Sequence, residues 1–124
     1  MELTGYVEDI RPLVQDAACF VVPLRVGGGT RLKILDAWAM GKAIVSTSIG
    51  CEGLAAVDGE NILIRDDPDG FAAAVADVLR DASLRARLGC AGRATGERTD
   101  SWEVIGTGML ADYAALLPEA FRME

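Results

Sequence analysis

Histidine is absent from the 124 residues. Without it the chain cannot assemble a Ser-His-Asp or Cys-His catalytic group from its own side chains, and zinc sites built on histidine are excluded. Cysteine is sparse: Cys19, Cys51 and Cys90 stand far apart with no C-x-x-C pair, and an odd count argues against a disulfide framework. Cys19 falls in the apolar run Cys19-Phe20-Val21-Val22 and fits a small buried hydrophobe. Long hydrophobic runs are lacking too, since Asp, Arg, Lys or Gly interrupts every stretch short of the roughly 18 residues a membrane helix needs. Met1-Glu2-Leu3-Thr4 carries neither a basic segment nor a signal-type apolar core. Positive charge is in deficit, with 12 Lys and Arg against 19 Asp and Glu and a net charge of -7, which argues against wrapping nucleic-acid phosphates. Proline numbers only 4 while 51% of residues are apolar, so disorder is excluded. What remains is one domain, expected to be cytoplasmic, reduced and metal-free.

The residues that are present alternate between helical and strand patterns. Asp9 is expected to cap a helix running through about Ala18, with Ile10, Leu13, Val14 and Ala17 at helical spacing and Pro12 in the first turn. Cys19 to Pro23 predicts a short strand, apolar on both faces as in helix-covered parallel sheets. Gly27-Gly28-Gly29 then breaks the pattern, and Thr30 to about Met40 predicts a helix with Leu32, Leu35, Ala39 and Met40 inward and Gly41 as its stop. Ala43 to Thr47 is β-branched at three positions and predicts a second buried strand. A loop over Ser48–Asn61 leads to a third short strand, Ile62–Ile64. Asp67-Pro68-Asp69 is a strong helix start, with Phe71, Val75, Val78 and Leu79 as the stripe that follows. A further helix is expected over about Ala82–Ala94, a polar connection or hinge over Arg93–Asp100, and a last helix over about 101–117 capped by Ser101. Strand-helix-strand alternation predicts an α/β domain with parallel strands and right-handed crossovers.

The informative segment runs from Pro23 to Ala37, where a buried strand feeds a triple-glycine turn that opens into a helix. Glycines let backbone approach a ligand closely, and the first turn of a helix offers unpaired N–H groups carrying partial positive charge, a combination suited to phosphate. The spacing is neither that of a Walker loop nor G-x-G-x-x-G. A plain strand-to-helix connection would use the same glycines. Three features favour a ligand. Arg25, Arg31 and Lys33 gather positive charge in an otherwise acidic chain. Asp36 lies further along the helix, where a carboxylate can accept from sugar hydroxyls. Ser46 to Gly53 places small and polar residues at the carboxyl end of the next strand, where open α/β sheets bind ligands.

The order Thr4-Gly5-Tyr6-Val7-x-Asp9-Ile10-Arg11, Val22-Pro23-Leu24, Gly28 to Ala37, Gly41 to Thr47, Glu52-Gly53 and Ser101-Trp102 resembles the C-terminal lobe of group 1 (family 4) glycosyltransferases. These are GT-B enzymes that move a sugar from a nucleotide-sugar donor with retention of configuration. The resemblance implies a three-layer Rossmann-like half-lobe, a short parallel sheet flanked by helices, over residues 1–124. It implies that amides of Gly28, Gly29 and Thr30 hold donor phosphates and that Asp36 binds the ribose; Arg31 and Lys33 could reach phosphate, but helical spacing points them in different directions, and surface charge is the alternative for at least one of them. The family usually has Glu there, so the contact would need a closer helix or a bridging water; a solvated helix carboxylate is the alternative. The family's earlier acidic residue falls on Gly28, which leaves the donor-sugar contact and the catalytic residues unassigned. Glu52 resembles a residue near the nucleoside, and Trp102 an aromatic that anchors the last helix. No metal and no cofactor are implied, the nucleotide-sugar being a substrate.

By that resemblance the chain begins about halfway into the lobe, leaving the crevice beside its first strand half built and the N-terminal lobe absent as a partner. The chain alone is therefore expected to be inactive, and self-association is expected, as a homodimer across the exposed edge of the first strand or by exchange of the Met1–Val7 segment. A membrane-peripheral parent stays open. Other readings also stand: a non-catalytic nucleotide- or phosphate-binding module, or an interaction domain whose glycine turn is structural.

Overall fold

The computed structural model describes residues 1–117. Its elements follow the order α1 (Arg11–Asp16), β1 (Phe20–Val22), α2 (Leu32–Ala39), β2 (Ile44–Ser46), a 3-10 turn (Ile49–Cys51), β3 (Leu63–Ile64), α3 (Pro68–Arg80), α4 (Ala82–Thr99) and α5 (Trp102–Leu116). The last seven residues of the expected single domain lie outside the described part.

The three strands form one parallel sheet in the order β1-β2-β3, with Phe20 beside Ile44, Val21 beside Val45 and Val45 beside Leu63. Because successive strand residues face opposite sides, β2 feeds two cores. Ile44 joins Val22, Ile34, Ala37, Trp38, Cys51 and Ile62 on the α2 side. Val45 joins Ala43, Leu63, Ala74, Val78 and Leu88 on the side of α3 and the start of α4. The expected arrangement, a short parallel sheet flanked by helices, is what the chain adopts. Among the described residues no helix is long and apolar enough to cross a membrane.

Two helix starts follow their sequence signals closely. Asp67 accepts the Gly70 amide at 2.6 Å with Pro68 opening α3, and Ser101 accepts the Val104 amide at 3.3 Å at the start of α5. Gly41 ends α2 at φ 66 and donates to the Trp38 carbonyl at 2.8 Å. Other expectations need correction. Helix α1 spans only Arg11–Asp16; Asp9 accepts the Arg11 amide at 3.0 Å, and Val14 alone on this helix is buried while Ile10 and Leu13 stay exposed. Strand β1 is not covered on both faces, for Val21 is 47% exposed. In α3 it is Ala74, not Leu79, that is buried beside Val78.

The buried stripe of α2 is Ile34, Ala37 and Trp38, whereas Leu32 is exposed and Leu35 only half-buried. Ile34, Ala37 and Trp38 are at helical spacing and leave Lys33 and Asp36 on the solvent side, so the phase is that of an amphipathic helix turned so that Trp38 rather than Leu32 and Leu35 faces the core. The polar stretch Arg93–Asp100 is neither loop nor hinge: α4 continues through Thr99. Thr95 Oγ1 donates to the Ala91 carbonyl at 2.9 Å and accepts from Asn61 Nδ2 at 3.1 Å. Arg93 and Glu97 pair at 2.8 Å one turn apart. The glycines that lower helix propensity here permit close approach, since Gly89 lies against the Gly41 carbonyl and Gly92 against the Trp38 indole.

Candidate functional site

Strand β1 ends at Val22, and the chain then crosses the carboxyl end of the sheet through residues 23–30 before α2 begins. The crossing is anchored at its near end. Thr47 Oγ1, just beyond β2, donates to the Leu24 carbonyl and accepts the Gly50 amide at 3.1 Å. The glycines themselves are exposed, and Gly29 holds φ at 83, a conformation costly for any residue with a Cβ. Among the described residues no acceptor reaches the amides of Gly27 through Lys33. Several of these are the orphan donors that any helix leaves at its N-terminus. Here they stand in a row at the mouth of the sheet.

Arg31 departs from its expected part. Its side chain is 6% exposed and forms the cap residue of α2. Nη1 donates to the Gly28 carbonyl at 3.3 Å; Nη2 donates to the Gly27 carbonyl at 3.4 Å and to Glu52 Oε2 at 3.3 Å. Nε is buried without a partner. The guanidinium expected to reach for phosphate is thus held by the glycine turn's own carbonyls, because the cap position folds it back under the loop. Lys33, two residues on, is exposed and makes no ion pair among the described residues. Glu52 is largely exposed and its contact is with Arg31, across two loops at the carboxyl ends of β1 and β2.

Asp36 is exposed on the outer face of α2. It lines a cleft of about 580 Å³ together with Thr30 and Leu35 at one wall and Arg93, Glu97 and Trp102 at the other. Thr30 and Asp36 are therefore brought together, whereas Arg31 lies beneath the turn with the exposed Glu52 against it. Trp102 is a correction: the expected packing anchor is 86% exposed and forms part of the cleft rim. Its place there was not legible from the sequence, since the cleft exists only because α4 runs on to Thr99 and sets α5 beside α2. Burial raises the Cys51 thiol above its ordinary range behind the turn, which makes it a poor nucleophile at neutral pH. No cluster of three or more Cys, Asp or Glu side chains that could hold a metal occurs among the described residues.

The model of the family described as glycosyl transferases group 1 matches residues 1–81, which include β1, the glycine turn, α2 and the Glu52 loop. The chain belongs to the group 1 glycosyltransferases. Among its curated relatives is the lipopolysaccharide core biosynthesis glycosyltransferase LpsE of Rhizobium meliloti, 35% identical over 102 residues, or 77% of this chain and 28% of that protein. A 44.6 kDa protein of the cps region of Klebsiella pneumoniae is 33% identical over 76 residues, covering 61% of this chain and 20% of its own length. This group 1 chain thus spans about a quarter of the length of the relatives it matches. In fold it is similar to the sucrose-phosphate synthase of Thermosynechococcus elongatus, with a TM-score of 0.75 at 23% identity over 88% of this chain and 28% of the other.

Proposed function

We propose that this chain supplies part of the donor site of a glycosyltransferase that takes a sugar from a nucleotide-sugar, with retention of configuration. Amides of Gly28, Gly29 and Thr30 receive the diphosphate, and Lys33 adds charge from the first turn of α2. Asp36 accepts from ribose hydroxyls in the cleft that Thr30 shares with it. The chemistry asked of this half-site is electrostatic: charge that develops on the departing nucleoside diphosphate is stabilised by fixed N–H dipoles and a nearby cation. The observation that carries the reading is the run of amides over residues 27–33 with no acceptor among the described residues.

Alone, the 124-residue chain binds a nucleoside diphosphate and does not transfer sugar, because the β1 side of the crevice stays open and the acceptor would be chosen by a lobe outside it. A parent enzyme working in the cytoplasm, at or near a membrane surface, fits this reading. The test is a calorimetric titration with UDP, GDP and ADP, alongside an assay for sugar transfer. Binding of at least one nucleotide that Gly29→Val abolishes supports the proposal. Absence of binding to all three refutes it, and robust transfer by the chain alone refutes the incomplete-site part. Asp36→Ala is expected to weaken the nucleotide and leave inorganic pyrophosphate unaffected.

A further inference from the structure

Arg31 raises a question the diphosphate reading does not answer, namely why a cation beside an anion seat is turned away from it. Every described peptide bond is trans. Across a trans peptide plane a carbonyl and the following N–H point in opposite directions. The guanidinium donates to the carbonyls of Gly27 and Gly28, at 3.4 and 3.3 Å. The N–H groups of Gly28 and Gly29 must therefore point away from it, and these are two of the amides that find no acceptor. Both peptides present their carbonyls to the same guanidinium, which puts the two N–H groups on its far side, and Gly29, with φ at 83, turns the chain directly after them. Consecutive amides on the concave side of such a turn form an anion-binding nest.

We propose that Arg31 is the positioning residue of this nest: it fixes the two glycine peptides from behind, so that their amides are aimed at an anion before one arrives. The inference rests on the reading of the turn as a diphosphate seat and assigns what builds that seat. Three glycines in a row have the greatest conformational freedom of any tripeptide, so an unbraced turn would pay that entropy on binding. A planar guanidinium with several fixed donors can hold two carbonyls at once, which a lysine ammonium on a flexible stem does poorly. Glu52 completes the device. A buried cation needs a counter-charge, and this carboxylate, 3.3 Å away, supplies it from the loop after β2. The two loops at the mouth of the sheet are thereby joined through one side chain. Nε, buried and unpartnered, marks what the fold gives up to keep the fork on both carbonyls.

The test uses the full 124-residue chain, labelled with nitrogen-15, and inorganic pyrophosphate as a probe that carries no base. In the wild type the Gly28 and Gly29 amides are expected to be rigid on the nanosecond timescale and to shift on titration. Arg31→Met should make both amides mobile without moving core resonances such as the Trp38 indole, and should weaken pyrophosphate about tenfold or more as the braced loop is lost. Arg31→Lys, which keeps the charge and is the milder change for folding, should weaken it nearly as far. Rigid glycine amides in either variant, or unchanged pyrophosphate affinity in Arg31→Lys, would overturn the proposal. If the wild-type amides are rigid yet ignore both pyrophosphate and nucleotides, the diphosphate seat itself is refuted and the positioning role with it. That outcome is distinct from mobile glycines in the wild type, which refute the brace alone.

Discussion

Replacing Gly92 by alanine measures how closely α4 must approach α2. In an unhindered helix interior this exchange stabilises by about 1 kcal/mol, because glycine loses more backbone entropy than alanine. At Gly92 the added Cβ would collide with Trp38 Cδ1 and lie 2.6 Å from its Nε1 and 3.2 Å from the Asn61 carbonyl oxygen. Trp38 has nowhere to go: it is fully buried, and its Nε1 donates to that same carbonyl at 3.1 Å. Overpacking a core of this kind costs about 1–3 kcal/mol. If the ring shifts off its acceptor, the buried unpaired groups add about 1–3 kcal/mol. With both costs acting against the propensity gain, the net loss is roughly 1–5 kcal/mol. Gly96 is the control on the same helix. Its Cβ would meet Trp38 Cβ at 3.8 Å and Cε3 at 3.9 Å, ordinary contact distances, so the propensity gain should survive. Urea unfolding followed by far-ultraviolet circular dichroism and tryptophan emission reads both variants, with Trp38 buried and Trp102 exposed. The midpoint should fall for Gly92→Ala and rise for Gly96→Ala. A Gly92→Ala chain as stable as the wild type would show that α4 is not seated on the indole as described.

Other expectations concern single groups. Burial raises the Asp58 carboxyl, but the Ile64 amide at 2.8 Å and the Arg65 guanidinium at 2.9 Å outweigh it and hold the group below the usual aspartate range. A depressed carboxylate stabilises above its unfolded pKa and loses that contribution as pH falls through the folded value. Asp58→Asn should therefore flatten the loss of stability between about pH 5 and pH 2, in melts compared side by side. Asp67→Ala removes the cap of α3 and should cost about 1 kcal/mol in chemical denaturation. Phe20 and Val22 turn their backbone groups to β2, so those of Val21 face the open edge of the sheet. The chain is expected to self-associate there, and light scattering should show Val21→Lys to be more monomeric than the wild type. Thiol labelling at neutral pH should modify exposed Cys90 well before Cys19 and Cys51, whose thiols burial has raised.

The alternation of elements, both helix caps at Asp67 and Ser101 and the parallel class of the sheet were legible in the sequence. These depend on contacts between residues a few positions apart, or on a period of two or 3.6 that the chain carries wherever it packs. The glycine turn, with Asp36 further along the helix, was legible for the same reason: a motif of consecutive residues needs no partner to be recognised. The family resemblance added the likeness to a donor site, which periodicity alone does not contain.

What only the tertiary structure decided are the features that two distant segments settle together. The rotation of α2 was fixed by Trp38 docking on Gly92 and Asn61, residues 23 or more positions away. The persistence of α4 through a glycine-rich polar stretch follows from that same contact and from the Asn61–Thr95 bond. Arg31, expected from the sequence to reach donor phosphate, is instead buried under the glycine turn, where Glu52 of a separate loop meets it. Local propensities in these segments were weak or divided, so long-range packing, which acts only once the chain has closed on itself, made the choice.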